Sequence, residues 1–377
     1  MLSPQSRQED FPSLADRVYL NTAAEGIPSP PALAALAQYA RDKVLGMDGR
    51  RLHEAHWREA RERAATLLGL TAGEVALCSC SSEAYNLAAA ALHLEEGDEV
   101  VVNDLDFPAA ATPWMQPGCR ATVRVWRARQ GALRVEDVVP LLGLRTRFVS
   151  VSLVSFYNGF RVSVPAVAEA VGRCSPALLG VDATQALGRI PLDLRGADLV
   201  ISSTHKWILG SHGGGLVGMP RGRWQEWTAP AGGWFNLQDP FRADRFEGPA
   251  RSKPGPESFM VGMPNYPAAY AVGAALGYIQ SVGVERIAAH ADPLVRQCLD
   301  GLRQLPVQVI TPDEPGALAG IVSFLHPQAE RIHEHLHARD IHVMCHAGRL
   351  RVSVHGYNTA DDVDHFLRSL AEALRKV

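Results

Sequence analysis

Lys206 follows the apolar run Leu199–Ile201 and precedes a glycine-rich return, Gly213 to Gly215, in the stretch LVISSTHKWILGSHGGGLVG. Burial lowers the proton affinity of such a lysine, and its free amine can then condense with an aldehyde to form a Schiff base. Asp182 closes a second apolar run, LLGV, twenty-four residues earlier. A carboxylate at a neighbouring strand end can face a ring nitrogen and keep it protonated. Ser81 and Ser82, with Glu83 after them in CSCSSEAYNLAAAAL, read as the start of a helix. Hydroxyls and free N–H groups at a helix N-terminus make a ready anion site, and an ordinary N-cap has the same signature. An amine, an acid and an anion site together are what pyridoxal phosphate (PLP) requires.

Composition narrows the field. The chain has 377 residues, 47% of them hydrophobic, and a net charge of −3 with both signs scattered, so no basic stripe points to nucleic acid. No apolar stretch approaches membrane-spanning length, and MLSPQSRQEDFPSLADR lacks a basic start followed by an apolar run; the expected location is the cytoplasm. Six cysteines occur without a CxxC pair and read as reduced thiols. HEHLH at His333 to His337 formally fits HExxH, but Ile332 and Leu336 form an apolar stripe there and no third ligand is apparent. No metal is expected. His53 and His56 read as surface histidines of an amphipathic helix. HGGG at His212 has no accompanying GxSxG, which argues against a serine hydrolase.

The elements that must position these residues alternate. Strands are expected at Val75–Ser79, Glu99–Asn103, Thr122–Arg127, Phe148–Ser152, Leu178–Asp182, Leu199–Ser202 and Gly214–Gly218, separated largely by helical patterns. That order predicts an α/β fold with a mostly parallel seven-stranded sheet, whose ligands lie beyond the carboxyl ends of the strands. The Pro-, Gly- and Arg-rich segment 228–257 is too long for a plain connector and reads as a lid or subunit contact bordering the site. A helix over 264–282 leads to a smaller α+β unit with strands near Val307–Ile310, Gly320–Leu325, Ile341–Cys345 and Arg349–Val354. The expected division is an arm over 1–16, a large domain over 17–281 and a small C-terminal domain over 282–377.

From LNTAAEG to YNTADDVD the chain resembles the class V aminotransferase and cysteine desulfurase family of PLP enzymes, of fold type I. The resemblance implies that Lys206 in STHKW forms the Schiff base, that Asp182 pairs with the pyridine nitrogen, and that Gln185 donates toward the ring's phenolic oxygen. It also implies that Ser81, Ser82, Ser203 and His205 hold the phosphate and that Phe107 stacks on the ring. Arg351 would pair with the substrate α-carboxylate, and Asn21 would border the substrate. A homodimer is implied as well.

Departures place the chain nearer to isopenicillin N epimerase-like and kynureninase-like members than to true desulfurases. Phe107, followed by Pro108, stands where desulfurases usually carry histidine; it can stack but cannot move protons, which leaves Lys206 as the general base. IHVMCHAGRLRVS reads as strand, tight turn and strand, with no mobile loop to carry a nucleophilic cysteine, and Cys345 falls on the first strand. Met260 and Met263 replace the Glu and Thr of the family's FE-x-GTPN segment, and Phe156 replaces an asparagine. The reaction expected is action at the α-carbon of a small amino acid or related amine, with transamination leading. A C–S or other β-elimination lyase and an amino-acid epimerase are the alternatives, and a non-catalytic PLP-binding protein ranks last.

Overall fold

The computed structural model describes residues 1–377. Its central sheet orders seven strands as Val75–Cys78, Gly215–Gly218, Leu199–Ser203, Leu178–Asp182, Thr146–Ser152, Glu99–Asn103 and Thr122–Trp126. The last five in that order are parallel, while Gly215–Gly218 runs antiparallel to both its neighbours. This is the expected α/β fold, with strand bounds shifted by a residue or two. Glu99–Asn103 and Leu178–Asp182 are buried at every position because helices cover both faces, so they read as continuous runs. The edge strand Thr122–Trp126 alternates instead.

Amphipathic helices close the faces. Val164–Cys174 turns Val164, Val167, Ala170 and Val171 inward, a stripe of helical spacing. Arg50–Leu68 stops at Gly69, whose left-handed φ of 69° is cheap only without a Cβ. Tyr266–Val282 packs on Arg50–Leu68 and on Pro30–Lys43. No helix is long and apolar enough to cross a membrane.

The C-terminal region builds an antiparallel sheet in the order Met344–His346, Arg349–Ser353, Ile321–Leu325 and Gln308–Val309. Helices Val284–Arg303, Ala329–His337 and Ala360–Leu374 supply much of its apolar core. Two features differ from expectation. The single strand expected over 341–345 divides: Ile341–His342 pairs in parallel with Val18–Tyr19, and Met344–His346 pairs with Arg349–Ser353. Through that first pairing, Val18 and Leu20 join the apolar core of the C-terminal region, although the sequence reading grouped residues 17–21 with the large domain. The arm over 1–16 is packed onto the body: Met1, Phe11 and Leu14 are buried with Ile279, Val284, Ile287 and Tyr357.

Candidate active site

Two adjacent parallel strands end side by side, with Asp182 in register with Ile201, so the acid and the lysine emerge at one sheet edge. Backbone must pass closely here, and two glycines allow it. A Cβ on Gly26 would lie 2.0 Å from the Lys206 carbonyl oxygen, and one on Gly215 would lie 2.5 Å from the Cys80 carbonyl carbon. These contacts hold a cavity of about 230 Å³ whose wall includes Ser81, Phe107, Asp182, Gln185, His205 and Lys206.

At one end lies the start of helix Ser81–Ala91, whose first-turn N–H groups have no partner within the helix. Ser81 Oγ is 2.9 Å from Ser203 Oγ, so hydroxyls from two elements converge, and Ser82 and His205 join them in the wall. Glu83 does not face this end, since its Oε2 accepts from Ser79 N at 2.6 Å. His205 stacks on His212 with ring centroids 4.4 Å apart. Burial, helped by the charges of Lys206 and His212, pulls His205 down to about 4, so it serves near neutral pH as a neutral hydrogen-bonding group.

At the other end Asp182 is buried. Its Oδ1 accepts from Thr184 N at 2.7 Å and its Oδ2 from the Tyr85 hydroxyl at 2.9 Å. Gln185 is held from both sides: its Nε2 donates to the Ala23 carbonyl at 3.1 Å, and its Oε1 accepts from Trp207 Nε1 at 2.6 Å. The second amide hydrogen of Gln185 is left free to donate to a ligand.

Between the two ends sits Lys206. Burial pulls its ammonium down to about 8; Asp182 and Glu25 oppose that shift and Arg351 adds to it. About a tenth of the amine is therefore free near neutral pH, far more than for an ordinary lysine. Phe107, 47% exposed, presents its ring 5.4 Å from Lys206 Nζ and meets Phe156 edge-on at 5.1 Å. Its exposure leaves a face open to a second ring.

Arg351 and Asn21 are neighbours but do not line this cavity. Asn21 bridges to Ser353, two residues beyond Arg351 on the same strand. Arg351 is buried, its Nη1 donates to the Phe156 carbonyl at 3.0 Å, and burial together with Arg349 pulls it down to about 9. Phe156, in the position of the family asparagine, thus carries the arginine on its backbone while its ring joins the cavity wall. Asn158 does not substitute for that asparagine: it is buried, donates to the Gly131 carbonyl at 2.7 Å and accepts from Phe160 N at 3.1 Å.

Cys345 pairs across the hairpin with Leu350, and Met344 pairs with Arg351. Alternation therefore puts Cys345 on the face opposite Arg351, against the C-terminal core. Only Ala347 and Gly348, both with positive φ, join the two strands. Segment 228–257 contributes no residue to the cavity wall, contrary to expectation. Tyr85, which bonds Asp182, and Thr184 and His212, which line the cavity, carry no site role on sequence grounds. Tyr85 stands one helical turn after Ser81, but nothing local marks its distant partner.

The family model described as "Aminotransferase class-V" matches residues 18–366. The protein named "Uncharacterized aminotransferase YcbU" from Bacillus subtilis is 26% identical, over 98% of this chain and 97% of its own. A "Probable cysteine desulfurase" from Methanothermobacter thermautotrophicus is 28% identical, over 97% and 96%. Among solved structures, the apo cysteine desulfurase from Thermococcus onnurineus superposes with a TM-score of 0.88 at 22% identity, covering 100% of this chain and 99% of that one. A C-DES variant with glycine covalently linked to the PLP cofactor gives 0.85 at 23%, covering 97% and 99%.

The residues present fit that cofactor. A hydroxyl-lined helix start suits its phosphate, a buried acid its ring nitrogen and an open aromatic face its ring, and a lysine with depressed proton affinity lies between them. When bound, PLP supplies an electron-accepting ring for the pair freed at a substrate α-carbon. The chain belongs to the class V aminotransferase family of PLP-dependent enzymes.

Proposed function

We propose that the protein is an aminotransferase that exchanges the amino group of a small α-amino acid or related amine with a keto acid. Ser81, Ser82, Ser203 and His205 hold the cofactor phosphate, Asp182 keeps the ring nitrogen protonated, Gln185 donates toward the ring's phenolic oxygen, and Phe107 covers one face. Lys206 carries the cofactor and, once displaced by substrate, moves the α-proton as general base. Arg351 binds the α-carboxylate, with Asn21 beside it, once its bond to the Phe156 carbonyl opens.

The observation that carries this reading is the Cys345 hairpin. Its thiol faces the C-terminal core, burial raises its pKa, and a two-residue turn leaves no loop to bring a cysteine to the site. Sulfur transfer to a cysteine of that hairpin therefore lacks its acceptor, whereas amino-group transfer needs none. We also place the active molecule in a homodimer, supported by the exposed apolar side chains Leu33, Leu36, Val44, Leu45 and Met47 along and just after helix Pro30–Lys43.

The test is the absorption spectrum of the PLP-loaded protein before and after adding single amino acids without a keto acid, with products analysed in parallel. Transamination converts the lysine-bound band to that of the pyridoxamine form and releases one keto acid per site. If the band persists while pyruvate, ammonia or a sulfur product accumulates over many turnovers, the enzyme is a lyase. If only the opposite enantiomer appears, it is an epimerase.

A further inference from the structure

One helix touches both charged ends of the site. Ser81, at the N-terminus of Ser81–Ala91, meets Ser203 at the anion end, and Tyr85, four residues on and so on the same helical face, reaches Asp182. The Tyr85 hydroxyl donates to Asp182 Oδ2 at 2.9 Å, and both side chains are buried. The direction of this bond is settled by chemistry: an ionised carboxylate only accepts, so the phenol must donate. Burial, with Asp182 and Asp106 close by, holds the Tyr85 hydroxyl well above its usual range, so it stays protonated and a donor near neutral pH. The charged or titratable groups facing Asp182 are Tyr85, Asp106 and Lys206. Of these only Tyr85 donates to it directly; the other donor in contact is the backbone N–H of Thr184.

From this geometry we infer that Tyr85 is a positioning residue that sets the basicity of Asp182, and thereby where the proton between Asp182 and the cofactor ring nitrogen resides. A donor on one carboxylate oxygen withdraws electron density and makes the acid a weaker competitor for that proton. The proton then stays on the ring, where it makes the ring a better electron acceptor. Because the hydroxyl is delivered by the helix that starts at the phosphate cradle, anion binding and ring protonation share one rigid element.

The inference rests on placing Asp182 at the ring nitrogen, and the experiment separates the two. Wild type, Tyr85→Phe, Asp182→Asn and the double variant are loaded with PLP labelled with nitrogen-15 in the ring. The ring resonance is recorded, together with the pH titration of the lysine-bound absorption band. Tyr85→Phe keeps the ring volume and removes one hydrogen bond to a charged group, which is expected to move the resonance toward neutral pyridine and shift the titration by about one unit. In the Asp182→Asn background the same substitution is expected to change neither signal. An unchanged resonance and titration in Tyr85→Phe, even with lower turnover or a lower melting temperature, would reduce Tyr85 to a packing residue and overturn the inference. An unchanged resonance in Asp182→Asn alone would show that Asp182 is misplaced, and the inference would fall with it. Should Tyr85→Phe not fold, 3-fluorotyrosine at position 85 preserves shape and donor while strengthening the donor. The resonance must then move away from neutral pyridine, and no movement overturns the proposal.

Discussion

Asp106 shows how a single buried carboxyl can tie stability to pH. Its Oδ1 accepts from Ser152 N at 2.8 Å, but its Oδ2 is buried without a partner. Burial pushes its pKa up to about 7, against the pull of the Ser152 hydrogen bond and with the push of Asp182. In the unfolded chain the same group titrates near the ordinary value of about 3.9. Between these pH values the folded state holds more protons than the unfolded one, so stability falls as pH rises through this window. Melting of the cofactor-free protein at pH 5 and pH 7.5 should show that loss, and Asp106→Asn, neutral throughout, should flatten it. Equal slopes for the two proteins would mean that Asp106 is ionised in the fold. Neither this behaviour nor the Tyr85 bond is legible in the sequence. Tyr85 and Asp182 are 97 residues apart, and Arg351 lies 195 from the Phe156 carbonyl that holds it.

Among the elements, the strands were the most legible, because burial on both faces writes them as unbroken apolar runs ended by turn residues. The break in the strand expected over 341–345 has the opposite character. What divides it is pairing with Val18–Tyr19, a partner more than three hundred residues away that leaves no local mark. The glycine-rich return is a place of close approach, and Gly215 shows what it approaches. A Cβ there would lie 2.5 Å from the Cys80 carbonyl carbon and 2.8 Å from Ser81 N, backbone atoms that move only by shifting the helix start. Gly215→Ala should therefore cost about 1–3 kcal/mol of stability in denaturant titration. It should also weaken PLP binding about tenfold or more, through the displaced anion cradle. Wild-type affinity in a folded variant would separate the return strand from the cradle.

At the scale of the whole molecule, the proposed homodimer draws on the same kind of reading. Val44 is 83% exposed and Met47 78%, and Leu33, Leu36 and Leu45 extend the apolar surface beside them. Placing a charge there, as in Val44→Asp with Met47→Asp, should convert the dimer to a monomer by light scattering without unfolding either copy. A wild-type protein that scatters as a monomer at micromolar concentration would remove the dimer from the proposal. The two regions of the chain are joined more firmly than their separate cores suggest. His355 accepts from Gly356 N on Nδ1 at 2.6 Å and donates from Nε2 to the Trp207 carbonyl at 2.7 Å, and its pKa is pushed down to about 3, chiefly by burial. The imidazole is thus a neutral, single-tautomer rivet between the residue after Lys206 and the strand end after Arg351. On the roles proposed for those two residues, the rivet turns their separation into a ruler. On that proposal the enzyme is expected to sort amines first by the number of carbons between nitrogen and carboxylate, and only then by what the side chain is made of.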